Sequence, residues 1–188
     1  MTLLEIMIVV GILSAIIAVA LPRLRKNNTN VKSVVREMGV LSREIRSYTQ
    51  LKNATYRLVF NLNGQEDSYW VEASNRPVLT ISEEKQKTLD GMSEKDRPPD
   101  TFQKVDKPIK ERKVPSGLFI KSVETHRISH PVTKGLATIS YSPEGLVEQA
   151  IVEVTDGKEM TWSLIFNPLT GHAEVVDKPM TLKDLESK

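Results

Sequence analysis

Two hydrophobic periodicities divide the first part of the chain. From Ile6 to Pro22 no side chain is charged, and Ser14 is the only clearly polar one. As a helix rising about 1.5 Å per residue, this run extends roughly 25 Å. A bilayer core is about 30 Å thick and takes about 17–25 residues to cross. Beyond it, Val31, Val34, Met38, Leu41, Ile45 and Tyr48 recur at spacings of three and four, with Arg36, Glu37, Arg43, Glu44 and Arg46 mostly off that register. That is one apolar stripe on a helix. The pattern predicts one long helix from about Thr2 to Leu51, hydrophobic all round over 1–25 and amphipathic over 26–53. Pro22 removes a backbone hydrogen bond and marks a predicted kink, and Gly11 and Gly39 weaken the helix locally.

The remaining pattern has period two. Tyr56, Leu58, Phe60 and Leu62 alternate with Arg57, Val59 and Asn61; Asn63-Gly64 begins a turn, and Tyr69 to Ala73 reads as the return strand. Leu118 to Ile120, Ala137 to Tyr141, Val147 to Thr155, Met160 to Phe166 and His172 to Val176 read as further strands. Ser142-Pro143-Glu144-Gly145 has the residues of a type I turn, and Asp156-Gly157 those of a type I′ hairpin. The expected fold class is therefore α+β. The long helix lays its stripe on one face of an antiparallel sheet that forms the head over 54–188.

Within the head, half of the residues from Ser82 to Pro115 are charged, and five prolines lie between Pro77 and Pro115. Such a composition offers little apolar surface to offset ordering entropy. The segment 77–117 reads as an exposed, charged insertion with one short helix near Glu83 to Leu89. Elsewhere composition mainly excludes. A formal net charge of +2 gives no support for nucleic-acid coating. The absence of cysteine removes disulfides, thiolate chemistry and cysteine metal sites. A secretory signal carries positive charge before its apolar core and small residues at its cleavage site. Here the early charge is Glu5, and Pro22 with Arg23-Leu24-Arg25-Lys26 follows the run. Membrane insertion is the expected reading, with a buried globular helix as the alternative.

Glu5 at the mouth of that run is the residue out of place. A carboxylate there carries a large desolvation cost unless a positive group meets it. Thr2-Leu3-Leu4-Glu5, followed by Ile6-Met7-Ile8-Val9-Val10 and ending at Pro22, resembles the mature N-terminus of type IV pilins and type II secretion pseudopilins. The likeness covers residues 1–25. It implies a pilin-like fold, removal of a basic leader by a prepilin peptidase, and N-methylation at Met1, which stands where the family usually has phenylalanine. The chain would then correspond to the processed form. The resemblance also implies that Met1 and Glu5 serve filament assembly, Glu5 facing the amine of Met1 on a neighbouring subunit. The protein would sit in the inner membrane as a single-pass subunit with its head in the periplasm, and later in a filament. Its partners would be other pilins or pseudopilins and the peptidase. Arg23, Arg25 and Lys26 would by themselves favour the cytoplasm for the head; the family's leader sets the opposite orientation.

A second likeness lies between Ile139 and Val176. Tyr141 to Gly145, Asp156-Gly157 and Asn167-Pro168-Leu169-Thr170-Gly171 look like the last strands of the GspH/FimT group of minor pseudopilins. The functional expectation is a minor pseudopilin of a type II secretion pseudopilus. The alternative is a minor pilin of a type IV pilus, FimT-like and DNA-binding, although the tail Asp177 to Lys188 mixes both signs. Catalytic chemistry is not expected, nor are a cofactor, a metal or a small-molecule substrate. His126 and His130 are four apart, but Pro131 and the polar loop around them do not suit a helix, so both read as surface histidines; His172, directly after a turn glycine, reads as a strand-start residue. Glu144, Glu148 and Glu153 read as charged strand edges, and Trp70 and Trp162 as core residues.

Overall fold

The computed structural model describes residues 3–64, 66–74, 102–128, 130–158 and 160–186, with side chains along the first helix described over 5–14 and 31–52. Helix α1 spans Leu3–Lys52. It stops at Asn53, whose φ of 47° is the left-handed conformation that ends helices, and the amide of Ala54 donates to the Thr49 carbonyl at 3.2 Å. Pro22 falls within 15–30, so its expected kink lies outside the described side chains, and Met1 lies outside the described residues.

Among the described residues nine strands follow: β1 Thr55–Leu62, β2 Ser68–Ser74, β3 Gln103–Val105, β4 Arg112–Lys113, β5 Phe119–Thr125, β6 Gly135–Tyr141, β7 Ala150–Thr155, β8 Thr161–Phe166 and β9 Ala173–Val176, with a later helix α2 at Leu182–Glu186. They form two antiparallel sheets, which corrects the expectation of one. The first has the order β3-β2-β1-β6, with β4 also paired to β2; the second runs β5-β7-β8-β9. Alternation along a strand marks its inner face but not its neighbour, and the division arises where β6 hands over to β7. The Gly145 amide donates to the Ser142 carbonyl at 2.9 Å, closing the expected turn, with Gly145 at φ 85°. Val147 then makes only an isolated bridge to Tyr141, so the strand expected from Val147 begins at Ala150, in the other sheet.

Both sheets turn their inner faces to the stripe of α1. Val31, Val34, Met38, Leu41 and Ile45 are buried in one core with Leu58, Phe60, Val71, Ile139 and Tyr141 of the first sheet and Val152, Val154, Leu164 and Phe166 of the second; Tyr48 is partly buried against it. Each such side chain contributes roughly 1.5–3 kcal/mol by burial. The helix packs against β9 at Gly39, where an added Cβ would make an ordinary contact 3.5 Å from that of Ala173. The second sheet is covered on its outer face too. Ile151 packs with Met180 and Leu182 of the C-terminal segment, and Ile165, Val176 and Leu185 surround them.

Three local expectations change. The Asp156-Gly157 turn is not a two-residue hairpin. Thr155 pairs with Thr161, leaving five residues in the loop, and the Asp156 carboxylate accepts the amides of Lys158 and Met160. The part of the charged insertion within 102–117 is mostly exposed, yet it is ordered against the sheet. It supplies β3 and β4, and Ile109 and Val114 are buried, because its charges pair off at the edge of the sheet: Lys104 with Glu111, Lys113 with Glu66, Arg112 with Glu37. The short helix expected near Glu83 to Leu89 lies outside the described residues. Neither tryptophan is a core residue. Trp70 sits half-buried on the outer face of β2, donating to Glu72 at 2.7 Å beneath the Lys104 ammonium, and Trp162 packs at the rim of the core beneath Lys32.

Candidate assembly surface

Helix α1 presents two different surfaces in its two described stretches of side chains. Over 31–48 its apolar stripe is covered. Over 5–14 every described side chain is exposed, including Ile6, Met7, Ile8, Val9, Val10, Ile12 and Leu13 at 47–69%. These seven residues point in all directions around the helix, since their consecutive positions sweep it at about 100° each. Gly11 has no heavy atom within 4 Å of a Cβ placed on it. Among the described residues no helical stretch is long and apolar enough to cross a membrane; the run Ile6 to Pro22 continues beyond them after residue 14. Glu5 is exposed in the first turn of α1, where an acidic side chain meets the positive end of the helix dipole.

The head is held to this helix by polar contacts that the periodicity did not predict. The Tyr141 hydroxyl donates to Ser42 Oγ at 3.1 Å, and Ser42 donates on to the Gly171 carbonyl at 3.0 Å, both in the buried interior. Burial pushes the Tyr141 phenol well above its ordinary range, and the bond to Ser42 pulls it part of the way back. One turn on, Arg46 donates from Nε to the Gly145 carbonyl at 2.7 Å and from its terminal nitrogen to the Leu169 carbonyl at 3.3 Å. One guanidinium thus ties two turns, 142–145 and 167–171, to the helix. On the other side Glu37 accepts from the Tyr69 hydroxyl at 3.3 Å and pairs with Arg112, which ties α1 to β2 and β4. Burial raises the Tyr69 phenol to about 12.

The other titratable candidates have local roles. His126, His130 and His172 are exposed. Among the described residues no group of three or more His, Cys, Asp or Glu could hold a metal ion. Glu148 accepts the Ser140 amide at 3.0 Å and lies 3.2 Å from Arg127 Nε, with both side chains largely buried. The angle at that contact is too poor for a hydrogen bond, so the pair is an electrostatic one. Arg127 also caps the Thr138 carbonyl at the β6 edge. Glu153 accepts from Ser122 and pairs with Lys121, and Glu144 is exposed in its turn, its carboxyl held below the usual range by Ser142. Ser42 and Arg46 carried no signal of their role, because polar residues on a helix read as solvent-facing until their partners are known. No family model, curated protein or solved structure matches the chain.

Proposed function

We propose that the chain is a structural subunit of a periplasmic filament, a minor pseudopilin of a type II secretion pseudopilus that assembles through its N-terminal helix. The observation that carries this reading is the contrast along α1. The head closes its own core from Val31 onward, while the apolar side chains from Ile6 to Leu13 are exposed and, among the described residues, belong to no core cluster. Half-exposed on average, those seven side chains represent about 5–10 kcal/mol of burial still to be gained. Lipid supplies it before assembly, and the helices of neighbouring subunits supply it afterwards. A bundle of identical apolar rods has no preferred axial register; Glu5 gives it one by meeting a neighbour's terminal amine.

The test is Glu5→Ala in the full chain, expressed with the remaining filament subunits. Breaking a buried charge pair costs about 3–5 kcal/mol, so incorporation into recovered filaments falls by at least roughly 100-fold, while the amount in the membrane fraction is unchanged. Normal incorporation of the variant would refute the pairing. Recovery in a surface pilus instead of a periplasmic fibre would reassign the subunit to a type IV pilus with the same assembly physics.

A further inference from the structure

Between Pro22 and Glu37 the chain carries Arg23, Arg25, Lys26, Lys32 and Arg36 and no acidic residue. Lys32 and Arg36 are both exposed. Four apart on α1, they share one side of the helix. The Lys32 ammonium lies over the Trp162 ring, 5.8 Å from its centre. Contacts with the second sheet climb α1 in order: Lys32 meets Trp162, Gly39 meets Leu164 and Ala173, and Ser42 and Arg46 meet the turn 167–171. Trp162 therefore stands at the end of the head that faces the apolar run.

Charge and height identify what this end meets. From Pro22 to Lys32 the helix rises about 15 Å, and the headgroup layer outside the hydrocarbon is about 5–7 Å deep. With the apolar run in a bilayer, Lys32 stands about one Debye length above the headgroups at physiological salt, where that length is about 8 Å. An anionic surface attracts a basic segment at that range. Transmembrane helices tilt by about 20° on average, and a tilt towards the Lys32 side lowers Trp162 onto the headgroups. An indole, apolar in body with one polar N–H, suits that level. The loop before Trp162 holds Asp156 and Glu159 against Lys158, so the attraction comes from the helix and not from the strands.

We infer that Lys32, Arg36 and Trp162 form a contact surface for the headgroups of anionic phospholipids, so that the charge of the bilayer sets how far the head leans onto it before assembly. This rests on the proposed membrane role of the apolar helix. The test uses the full chain in vesicles of phosphatidylcholine alone, or of phosphatidylcholine and phosphatidylglycerol in equal parts, with and without a lipid carrying a nitroxide on its headgroup. Trp70→Phe leaves Trp162 as the sole tryptophan, and its fluorescence with the nitroxide lipid is divided by that without. Phosphatidylglycerol raises the quenching of Trp162 roughly twofold or more, and molar salt, with a Debye length of about 3 Å, returns it to the phosphatidylcholine value. Lys32→Glu with Arg36→Glu removes the phosphatidylglycerol effect, while the amount of chain floating with the vesicles stays that of the parent. Equal quenching in the two vesicles overturns the inference, and so does a lipid effect that survives the double change. Flotation reads the anchoring separately. A chain that floats with both vesicles but shows no Trp162 response removes this inference alone, whereas one that floats with neither removes the membrane reading as well.

Discussion

Gly171→Ala separates two effects that glycine substitutions usually mix. Gly171 sits at φ 64°, where an alanine costs roughly 1–2 kcal/mol of backbone strain. Its Cβ would also collide with the Arg46 side chain and come within 3.3 Å of Val147 Cγ2. Arg46 cannot yield without loosening its bonds to the Gly145 and Leu169 carbonyls. A charged hydrogen bond is worth about 1.5–3 kcal/mol, so losing most of one brings the total to about 3–5 kcal/mol. Gly64 is the control: its φ is 73°, and nothing lies within 4 Å of an added Cβ, so Gly64→Ala costs only the strain. Urea unfolding of the detergent-solubilised chain, followed by Trp70 and Trp162 fluorescence, distinguishes them. With a slope of about 1–3 kcal/mol per molar urea, the Gly171 variant unfolds about 1–5 M earlier than the parent and the Gly64 variant roughly half as far or less. Adding Arg46→Ala to Gly171→Ala must cost less than the two single changes together, because the obstacle is gone. Equal shifts for the two glycine variants, or strict additivity with Arg46→Ala, would refute the claim that Arg46 is wedged between the turns.

Two further outcomes follow from buried polar groups. The Tyr69 phenol is neutral in the fold and raised from 10 to about 12, so its contribution is full below pH 10 and is lost as pH climbs towards 12. Stability should drop by about 1–2 kcal/mol over that window after allowing for solvent at its edge. In alkaline chemical denaturation Tyr69→Phe should show a smaller drop; an identical one would contradict the assignment. Asp67 is buried and accepts three amides, those of Asn63 at 2.8 Å, Gly64 at 2.9 Å and Ile120 at 2.7 Å. Asp67→Ala strands the Ile120 amide in the interior and costs about 3 kcal/mol; hydrogen exchange at Ile120 should accelerate, and unchanged protection there would count against the bond.

What the sequence disclosed follows from the range of each interaction. The stripe from Val31 to Tyr48 and the alternation in β1 and β8 are local patterns, so their inner faces could be read directly. The partition into two sheets depends on which strand lies beside β6 or β7, a long-range choice that alternation leaves open. One available signal was the run Ile151, Val152, Val154, apolar on both faces of β7, which calls for a second covering layer. Met180 and Leu182 supply that layer from a segment whose mixed charges concealed it. In 102–117 composition left the strand pairing hidden, because charges that pair at a sheet edge look the same in sequence as charges left in water. Glu5 stands out in the sequence by contrast with its surroundings. Ser42 and Arg46 do not, since what they bind is backbone carbonyl in turns about a hundred residues away.

Those turn contacts bear on how the proposed assembly would work. A helix that sets the position of a filament subunit must also set the orientation of its head, and a single contact would leave the head free to rock. Here α1 is fastened at separated places: through Glu37 to β2 and β4 of the first sheet, through Gly39 to β9 of the second, and through Ser42 and Arg46 to the turns at the far pole. These lie on different sides of the helix and at different heights, so rotation about its axis and tilt away from it are both resisted. The apolar half can then be exchanged from lipid to a bundle of helices with no change in the head, since the core closes from Val31 onward. In the proposed assembly register would be decided at Glu5, while orientation would be decided thirty to forty residues later by uncharged and charged groups that bind turn carbonyls. Changing Arg46 should therefore disturb how heads meet one another without altering whether helices bundle.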